Sequence, residues 1–316
     1  MRSTSRLSAT LALAGATLIG IAGCATKDSP GVAKSASALT SASPSATTSA
    51  TGSASASATS SASPAADACP KGQLPTRTTG TLTVGTDNPA YEPWFSDNKP
   101  ANGKGFESAV AYAVAKQLGY DTISWTVASF NTVVAPGPKK FDFDVNEVSI
   151  TPARMKAVDF SSGYYAVTQT LIALKSSPIA KATSIADLKN AKLGAQVGTT
   201  SYSTITDVIK PSKAPSAFDN NDIAKAALKN GQIDGIIVDL PTAFYITGAE
   251  IPTATIVGQF ANADNANGEQ FGLVLDKGSK LTPCVTGAVD ALRADGTLQQ
   301  LADKWLAKSA GAPVLK

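Results

Sequence analysis

The sequence predicts a mixed α/β protein of two lobes, with a cleft between the lobes and two chain crossings that form a hinge. Strand-like and helix-like stretches alternate from residue 81 to residue 306, which is typical of mostly parallel sheets. About 240 residues follow a low-complexity N-terminal segment, which is enough for two lobes of ordinary size. Two apolar stretches, 170–174 and 271–275, are expected to follow the crossings.

The first lobe is expected to begin with a strand–helix–strand unit. Residues 81–86 and 122–127 are β-prone. Between them, Val110, Val114 and Leu118 recur at helical spacing before Gly119, which predicts a helix over 106–118. A further strand is predicted over 143–150, before the chain enters the second lobe.

The second lobe repeats the alternation of strands and helices. Strands are predicted at 192–197 and 235–239, and helices near 185–188, 202–209, 222–228 and 241–246. The strand at 271–275 then returns to the first lobe, which two helices complete, 281–292 and 298–306. The predicted lobe 1 comprises 73–168 with 270–316, and lobe 2 comprises 169–269.

The N-terminal residues 1–23 are typical of an export signal. Arg2 and Arg6 precede an apolar core, 11–21, that is too short to span a bilayer comfortably. The core ends in Ile21-Ala22-Gly23-Cys24, an order that resembles the lipobox of bacterial lipoproteins. We therefore expect Cys24 to be lipidated and the protein to be anchored at the outer face of the membrane. The alternative is a buried or free cysteine.

Residues 24–72 are predicted to form a tether between the anchor and the folded part. From 35 to 66 the chain is almost entirely Ser, Ala and Thr with scattered Pro, which offers too little apolar surface to offset the entropy of ordering.

The remaining two cysteines, Cys69 and Cys284, are predicted to form a disulfide, because an exported protein occupies a compartment where disulfides persist. If the helix over 281–292 packs on the first lobe, it brings Cys284 near Cys69. Two separate buried thiols are the alternative.

The composition excludes several kinds of chemistry. The chain has no histidine, which removes histidine-based metal sites and Ser/His or Cys/His nucleophile pairs. The net charge is +3 and the lysines are scattered, so there is no signal for nucleic-acid binding. We expect no cofactor and no metal.

Short motifs follow one another in a definite order over nearly all of residues 78–306. They are 82–87, Pro93, Gly105-Phe106, Phe130, Ser149-Ile150-Thr151, Arg154, 158–161, Tyr164-Tyr165, Asp187-Leu188, 198–201, Asp234-Gly235, Asp239, Leu292-Arg293, Asp295-Gly296-Thr297 and Lys304-Trp305. Their order and spacing resemble the polar amino-acid family (family 3) of extracellular solute-binding proteins. The resemblance implies a periplasmic-binding-protein-like fold without enzymatic activity, a free amino acid as ligand, ABC importer subunits as partners and a monomer.

A free amino acid needs a fixed cation and a fixed anion close together, because its carboxylate and ammonium lie on one carbon. The resemblance places Arg154 at the carboxylate clamp, and a guanidinium can hold both oxygens. Asp239 ends the strand 235–239, where a carboxylate commonly faces the crevice, so we expect it to accept the ammonium. The alternatives are a surface arginine and a helix cap before Pro241.

Five further residues are expected to shape the site. Thr199 and Thr200 join a strand to a helix and can meet the ligand carboxylate, although capping alone would also explain them. Tyr91 and Phe130 fall where the family places aromatic walls, with core packing as the alternative. Ser149 matches a ligand contact of the family.

The acidic residues near the site predict a cationic ligand. Arg154 and Asp239 balance the zwitterion, which leaves Asp87 and Glu147 to hold the far end of an arginine or lysine. The two-residue period of the predicted strand places Glu147 on the same face as Ser149. We expect Asn146 and Gln196 to add polar contacts. If the acids instead pair with a lysine such as Lys139 or cap a turn, glutamine or another polar neutral amino acid is favoured.

Two other functions are compatible with the same scaffold. A cyclohexadienyl-dehydratase-like enzyme would need an acid or base in the cleft, a role open to Glu147. A sensory receptor would bind the same ligand and signal to a membrane partner.

Overall fold

The computed structural model describes residues 69–261, 268–306 and 311–316. The predicted export signal, Cys24 and the tether up to residue 68 lie outside these residues. Within the described part of the chain, no helix combines the length and the apolar character needed to cross a bilayer.

Strands and helices alternate through most of the described chain. The strands are β1 (Leu82–Thr86), β2 (Ile123–Val127), β3 (Phe143–Asp144), β4 (Val158–Val167), β5 (Gln169–Leu174), β6 (Leu193–Gln196), β7 (Ser216–Phe218), β8 (Gly235–Asp239), β9 (Ala254–Phe260), β10 (Glu269–Asp276) and β11 (Val314–Leu315). The α-helices are α1 (Phe106–Gln117), α2 (Phe130–Val134), α3 (Thr200–Ser203), α4 (Asn221–Lys229), α5 (Leu240–Tyr245), α6 (Thr282–Ala294) and α7 (Thr297–Leu306). Thr204–Ile209 and Ile246–Glu250 continue α3 and α5 as π-helical turns, and short 3₁₀ turns lie at Ser96–Asn98, Pro100–Asn102, Arg154–Lys156 and Ala186–Leu188.

The first lobe is built on a five-stranded sheet in the order β2-β1-β3-β10-β4. β1 runs parallel to β2 and β3, whereas β10 is antiparallel to β3 and β4. Side chains of α1, α6 and α7 complete its core. The centre of the Trp94 ring lies 5.5 Å from that of the Phe271 ring and 5.7 Å from that of the Tyr165 ring. Both pairs are edge-on, an arrangement that is favourable for aromatic rings.

α1 ends where the sequence predicts. Gly119 follows with a φ of +86°, a left-handed conformation that favours glycine at a helix end. A side chain at this position would also meet Lys71 and Gly72. The glycine therefore allows the N-terminal segment to pass close to the end of α1.

The second lobe is built on a six-stranded sheet in the order β11-β9-β5-β8-β6-β7. β6 runs parallel to β7 and β8, and β5 is antiparallel to β8 and β9. Two hydrophobic clusters, one around Leu171 and Ile237 and one around Ile172 and Ile236, form its core. Neighbouring residues of one strand fall in different clusters because successive side chains of a strand point to opposite faces.

The chain crosses between the lobes as the sequence predicts. β4 ends at Val167 in the first sheet and β5 begins at Gln169 in the second. The return crossing lies between β9 of the second sheet and β10 of the first. The predicted two-lobed fold is confirmed.

The last residues differ from the predicted division into lobes. β11 pairs in parallel with β9 of the second sheet, and Leu315 is buried there. The expectation that all residues from 270 onward belong to lobe 1 is therefore wrong for this segment. The two residues of β11 extend the edge of the second sheet. A strand of two residues is too short to show a periodic pattern, so its pairing could not be predicted from the sequence.

The structure contains the predicted disulfide between Cys69 and Cys284, whose Cα atoms lie 5.6 Å apart. Cys284 lies in the first turn of α6, in the core of the first lobe. The bond therefore fixes the first described residue of the chain to that helix.

Candidate functional site

Most of the predicted ligand residues gather at one cavity in the cleft between the two sheets. It lies where β1, β6 and β8 end, the edge at which ligands bind in open α/β sheets. The lining residues are Asp87, Tyr91, Phe130, Asn146, Glu147, Gln196, Thr199, Thr200, Ser201, Asn221, Val238 and Asp239. Ser149 and Arg154, which were also predicted, lie beside this lining.

Arg154 spans the cleft from the first lobe to the second. Its Nη1 donates to the Ser149 carbonyl oxygen at 2.7 Å, and its Nη2 donates to the Gly198 carbonyl oxygen at 3.0 Å. Its guanidinium carbon lies 5.2 Å from the centre of the Phe130 ring. Burial lowers the pKa of Arg154, whereas the charges of Glu269 and Asp239 raise it. A guanidinium has five N–H donors, so Arg154 retains donors for a ligand.

The two predicted aromatic walls both line the cavity. Phe130 is also part of a small core cluster, so packing and the site share this ring. The ring centre of Tyr91, on the first lobe, lies 5.3 Å from Lys225 Nζ on α4 of the second lobe. Phe130 thus contacts a cation of its own lobe, and Tyr91 contacts a cation of the opposite lobe.

Asp239 ends β8 and precedes α5, but its side chain does not cap that helix. Instead, Oδ1 accepts a hydrogen bond from Gln169 Nε2 at 2.8 Å. Burial raises the pKa of Asp239 well above its ordinary value, and the charge of Glu269 adds to this shift. The carboxylate is thus available at the cavity, and an added cation would favour its ionised form.

The two threonines of the strand-to-helix turn have different roles. Thr199 is the cap of α3: its Oγ1 accepts from the Tyr202 backbone N–H at 3.1 Å and donates to the Gln196 carbonyl oxygen at 2.7 Å. Thr200 Oγ1 instead donates to Glu269 Oε1 at 2.6 Å. Capping therefore accounts for the Thr199 hydroxyl, whereas the Thr200 hydroxyl points into the cleft network.

Two lining residues, Ser201 and Asn221, were not predicted as ligand contacts, nor were two polar residues beside the cavity, Gln169 and Glu269. Gln169 begins β5 and Glu269 begins β10, so each follows one of the two crossings. Gln169 Nε2 lies 3.1 Å from Glu269 Oε2. Gln169 Oε1 accepts a hydrogen bond from Ser201 Oγ at 2.6 Å. A polar residue at the start of an otherwise apolar crossing strand is the signal that could have identified Gln169 and Glu269.

The predicted strand geometry of Glu147 is wrong, although Glu147 does line the cavity. β3 ends at Asp144, and Glu147 has a φ of +53°, outside the strand region. Its backbone N–H donates to Glu107 Oε1 at 2.7 Å, which holds this left-handed turn. The two-residue period therefore does not relate Glu147 to Ser149.

Asp87 and Glu147 form no ion pair within the described residues. Lys139, the alternative partner, donates through Nζ to the carbonyl oxygens of Thr132 and Ala135. Asp87 Oδ1 does accept from the adjacent Asn88 backbone N–H at 2.7 Å, as a turn cap would. Burial raises the pKa of both acids, and neighbouring carboxylates raise that of Glu147 further.

A fully buried carboxyl group, Glu107, lies behind this acidic end of the cavity. Its Oε1 accepts from the Tyr164 hydroxyl as well as from the Glu147 backbone. Burial raises its pKa to about 7. The acidic end of the cavity thus brings together the carboxyl groups of Asp87, Glu147 and Glu107. Because their pKa values are raised, these groups bind protons at a higher pH than exposed carboxyl groups do.

We expect the free energy of unfolding to fall as the pH rises from about 5 to about 8. Burial raises the pKa of Glu107 from 4.5 to about 7, so in this window the folded protein holds a proton that the unfolded chain releases. Glu107 alone contributes a change of about 3 kcal/mol. Urea unfolding across this pH range measures the slope.

Glu107→Gln retains the acceptor oxygen without the titration, so it should flatten that slope. Glu92→Gln is the matched control, because the hydrogen bonds that the Glu92 side chain makes with described residues stay within its own loop, to Ser96 and Asp97. An unchanged slope in Glu107→Gln would contradict the assignment.

The two lobes touch directly beside the cavity. Trp94 Nε1 of the first lobe donates to Thr242 Oγ1 of α5 at 2.8 Å, in a buried bond. Ser149 Oγ and Thr200 Oγ1, one from each lobe, are 3.4 Å apart. Gln196 and Asn146 add amide groups, and Asn146 Nδ2 is buried without a partner within the described residues. The cleft is therefore closed around a polar cavity.

A two-lobed fold with a polar cavity at its hinge defines a class of proteins that capture small solutes. Residues 82–308 match the family of bacterial extracellular solute-binding proteins, family 3. The chain belongs to this family.

Known relatives cover most of the chain. A probable histidine-binding protein of Campylobacter jejuni is 30% identical over 230 residues, which are 72% of this chain and 86% of the relative. The L-cystine-binding protein TcyJ of Escherichia coli is 28% identical over 239 residues, 75% of this chain and 85% of the relative. Among solved structures, an ancestral arginine-binding protein bound to glutamine is 30% identical with a TM-score of 0.61, covering 72% of this chain and 98% of that one.

Proposed function

We propose that this protein binds a free amino acid with a cationic side chain, such as arginine or lysine, and delivers it to an ABC importer. One observation carries the proposal. Asp239 of the second lobe lines a cavity that also holds the carboxyl groups of Asp87 and Glu147, and Arg154 of the first lobe lies beside that lining, where it donates to the Gly198 carbonyl oxygen. Arg154 and Asp239 suit the zwitterion of an amino acid, whereas Asp87 and Glu147 suit a positive side chain.

The head group requires both charges. Arg154 can hold the ligand carboxylate through a forked pair of N–H groups, as guanidinium groups do with planar anions. Asp239 can accept the ammonium group, which would lower the raised pKa of its carboxyl. Removing either partner would leave a charge of the ligand buried and unpaired.

The side chain of the ligand is assigned by the charges that remain. No basic side chain is present in the described lining of the cavity, whereas Asp87 and Glu147 are acidic. Carboxyl groups that resist ionisation because they are buried together are stabilised by a cation brought among them. An acidic ligand would instead add to the repulsion.

The relatives differ in their ligands, since histidine, cystine, arginine and glutamine all occur in their descriptions. The cavity charges are therefore the better guide to specificity. Glutamine is the leading alternative, and it would require Asp87 and Glu147 to remain protonated in the complex.

Closure of the two lobes would couple binding to transport. A ligand drives closure only if it contacts both lobes in the closed arrangement, and Arg154 and Asp239 provide one contact from each side. The importer would then recognise the closed protein. For the N-terminal segment, outside the described residues, we propose export and lipid anchoring through Cys24 at the outer face of the membrane.

Calorimetric titration with L-arginine, L-lysine, L-histidine, L-glutamine, L-cystine and L-glutamate tests the proposal. We expect arginine or lysine to bind best and glutamate not to bind. The double variant Asp87→Asn, Glu147→Gln should lower the ratio of arginine affinity to glutamine affinity by about tenfold or more, because it removes both acceptors for a positive side chain.

The matched control is Glu92→Gln with Asp97→Asn, two acids in a loop of the first lobe that are not among the lining residues. It should leave the affinity ratio unchanged. Tight binding of glutamate without any response to arginine or lysine would refute the charge argument.

A further inference from the structure

Glu269 contacts side chains from both lobes and from the other crossing. Its Oε1 accepts a hydrogen bond from Ser149 Oγ of the first lobe, and another from Thr200 Oγ1 of the second lobe at 2.6 Å. Gln169 Nε2, at the other crossing, lies 3.2 Å from Oε1 and 3.1 Å from Oε2. One carboxylate thus joins both lobes and both hinge strands.

These bonds fix the polarity of two hydroxyl groups. A hydroxyl has one proton and two lone pairs, and an ionised carboxylate can only accept. The protons of Ser149 and Thr200 are therefore both directed to Glu269. Toward any ligand, the two oxygens can act only as acceptors.

An ammonium group is the ligand group that matches this arrangement, because it has three N–H donors and no acceptor. Asp239 offers a carboxylate oxygen, and Gln169 Nε2 ties that carboxylate to the same network at 2.8 Å. Thr200 lines the cavity beside Asp239, and Ser149 Oγ lies 3.4 Å from Thr200 Oγ1. Three acceptors thus lie close together for three donors.

We propose that Glu269 is a positioning residue of the head-group site, which makes the hydroxyls of Ser149 and Thr200 acceptors for the ammonium group of the ligand. The proposal rests on the proposed function, because it requires an amino acid as ligand. It also gives the hinge a part in specificity: the group that selects for an ammonium lies on the strand about which the lobes move.

The test compares a ligand that has the ammonium group with one that lacks it. L-Arginine and 5-guanidinopentanoic acid, which is arginine without its amino group, are titrated against the wild-type protein and Glu269→Gln. A ligand that binds weakly is measured by its competition with arginine at millimolar concentrations. The N–H group of an amide can donate a hydrogen bond to a hydroxyl oxygen, which leaves the hydroxyl proton free to point toward the ligand. In Glu269→Gln the affinity for arginine should fall at least about tenfold, and that for the amine-free acid should change less than about twofold. Glu92→Gln should change neither.

Each other outcome decides against the proposal or against the function. If Glu269→Gln weakens both ligands equally, Glu269 only supports the hinge, and the proposal fails while the proposed function stands. If arginine binding is unchanged, Glu269 has no role. If the wild-type protein binds glutamine better, the cationic ligand of the proposed function is wrong, and the proposal for Glu269 is tested with L-glutamine and 5-amino-5-oxopentanoic acid, with the same expectation. A wild-type protein that binds no amino acid would refute the proposed function and this proposal together.

A second variant covers the case in which Glu269→Gln does not fold. Thr200→Val removes one hydroxyl and retains the shape of the side chain. If the hydroxyl accepts from the ammonium, only arginine loses affinity. If it donates to the ligand carboxylate, both ligands lose affinity to the same extent, and the proposal is overturned.

Discussion

Arg154→Ala is expected to lower the affinity for L-arginine by about 100-fold or more, because it leaves the ligand carboxylate buried without a cation. No basic side chain is among the described residues that line the cavity, so none there can replace the guanidinium of Arg154. Arg154→Lys should recover only part of the loss, since an ammonium group cannot form the forked pair of hydrogen bonds. Isothermal titration calorimetry measures both variants.

Arg293→Ala provides the control for this experiment. Arg293 also lies in the first lobe, but it pairs with Asp290 at 2.6 Å and donates to the Gly163 carbonyl oxygen, whereas Arg154 donates to Gly198 beside the cavity. The Arg293→Ala variant should bind arginine with the affinity of the wild-type protein. Wild-type affinity in Arg154→Ala would contradict the proposed carboxylate clamp.

Asp239→Asn is expected to lower the affinity for L-arginine by about 30-fold or more, because a neutral amide replaces the carboxylate that accepts the ammonium. The variant retains an oxygen that can accept from Gln169, so it tests the charge more than the fold. Burial raises the pKa of Asp239, so the wild-type carboxyl should release a proton when a cation binds beside it. Affinity should therefore rise with pH.

Calorimetry in buffers of different ionisation enthalpy detects that proton directly. The wild-type protein should release it, and Asp239→Asn should release less. Asp219→Asn, at an exposed aspartate that follows β7 of the same lobe, is the control and should leave proton release unchanged. Equal proton release in the wild-type protein and Asp239→Asn would contradict the assignment.

The general fold could be predicted from the sequence because its helices and central strands carry strong local patterns. Val110 and Val114 mark the buried face of α1, and the apolar run 235–239 identifies β8. β4, β7, β9 and β11 were missed, because each is stabilised by pairing with a neighbouring strand more than by its own sequence pattern. The same limit explains β3, which is much shorter than the predicted strand.

The candidate site was predictable where a residue ends or directly follows a strand, as Asp239 and Asp87 do. Glu147 was placed on the wrong backbone geometry, because its left-handed turn depends on Glu107, which is distant in sequence. Gln169 and Glu269 were missed for a related reason. Their hydrogen bonds join crossings that are separated by a whole lobe, and no local pattern records such a partnership.

The disulfide determines where tension on the N-terminal segment enters the folded protein. Cys69 is the first described residue and is bonded to Cys284 in α6, whereas β1 begins later, at Leu82. A pull transmitted along the preceding residues therefore passes through a covalent bond into a helix of the first lobe. It bypasses β1 and the Asp87 end of the cleft, so a pull on the N-terminal segment should leave the geometry of the cavity unchanged.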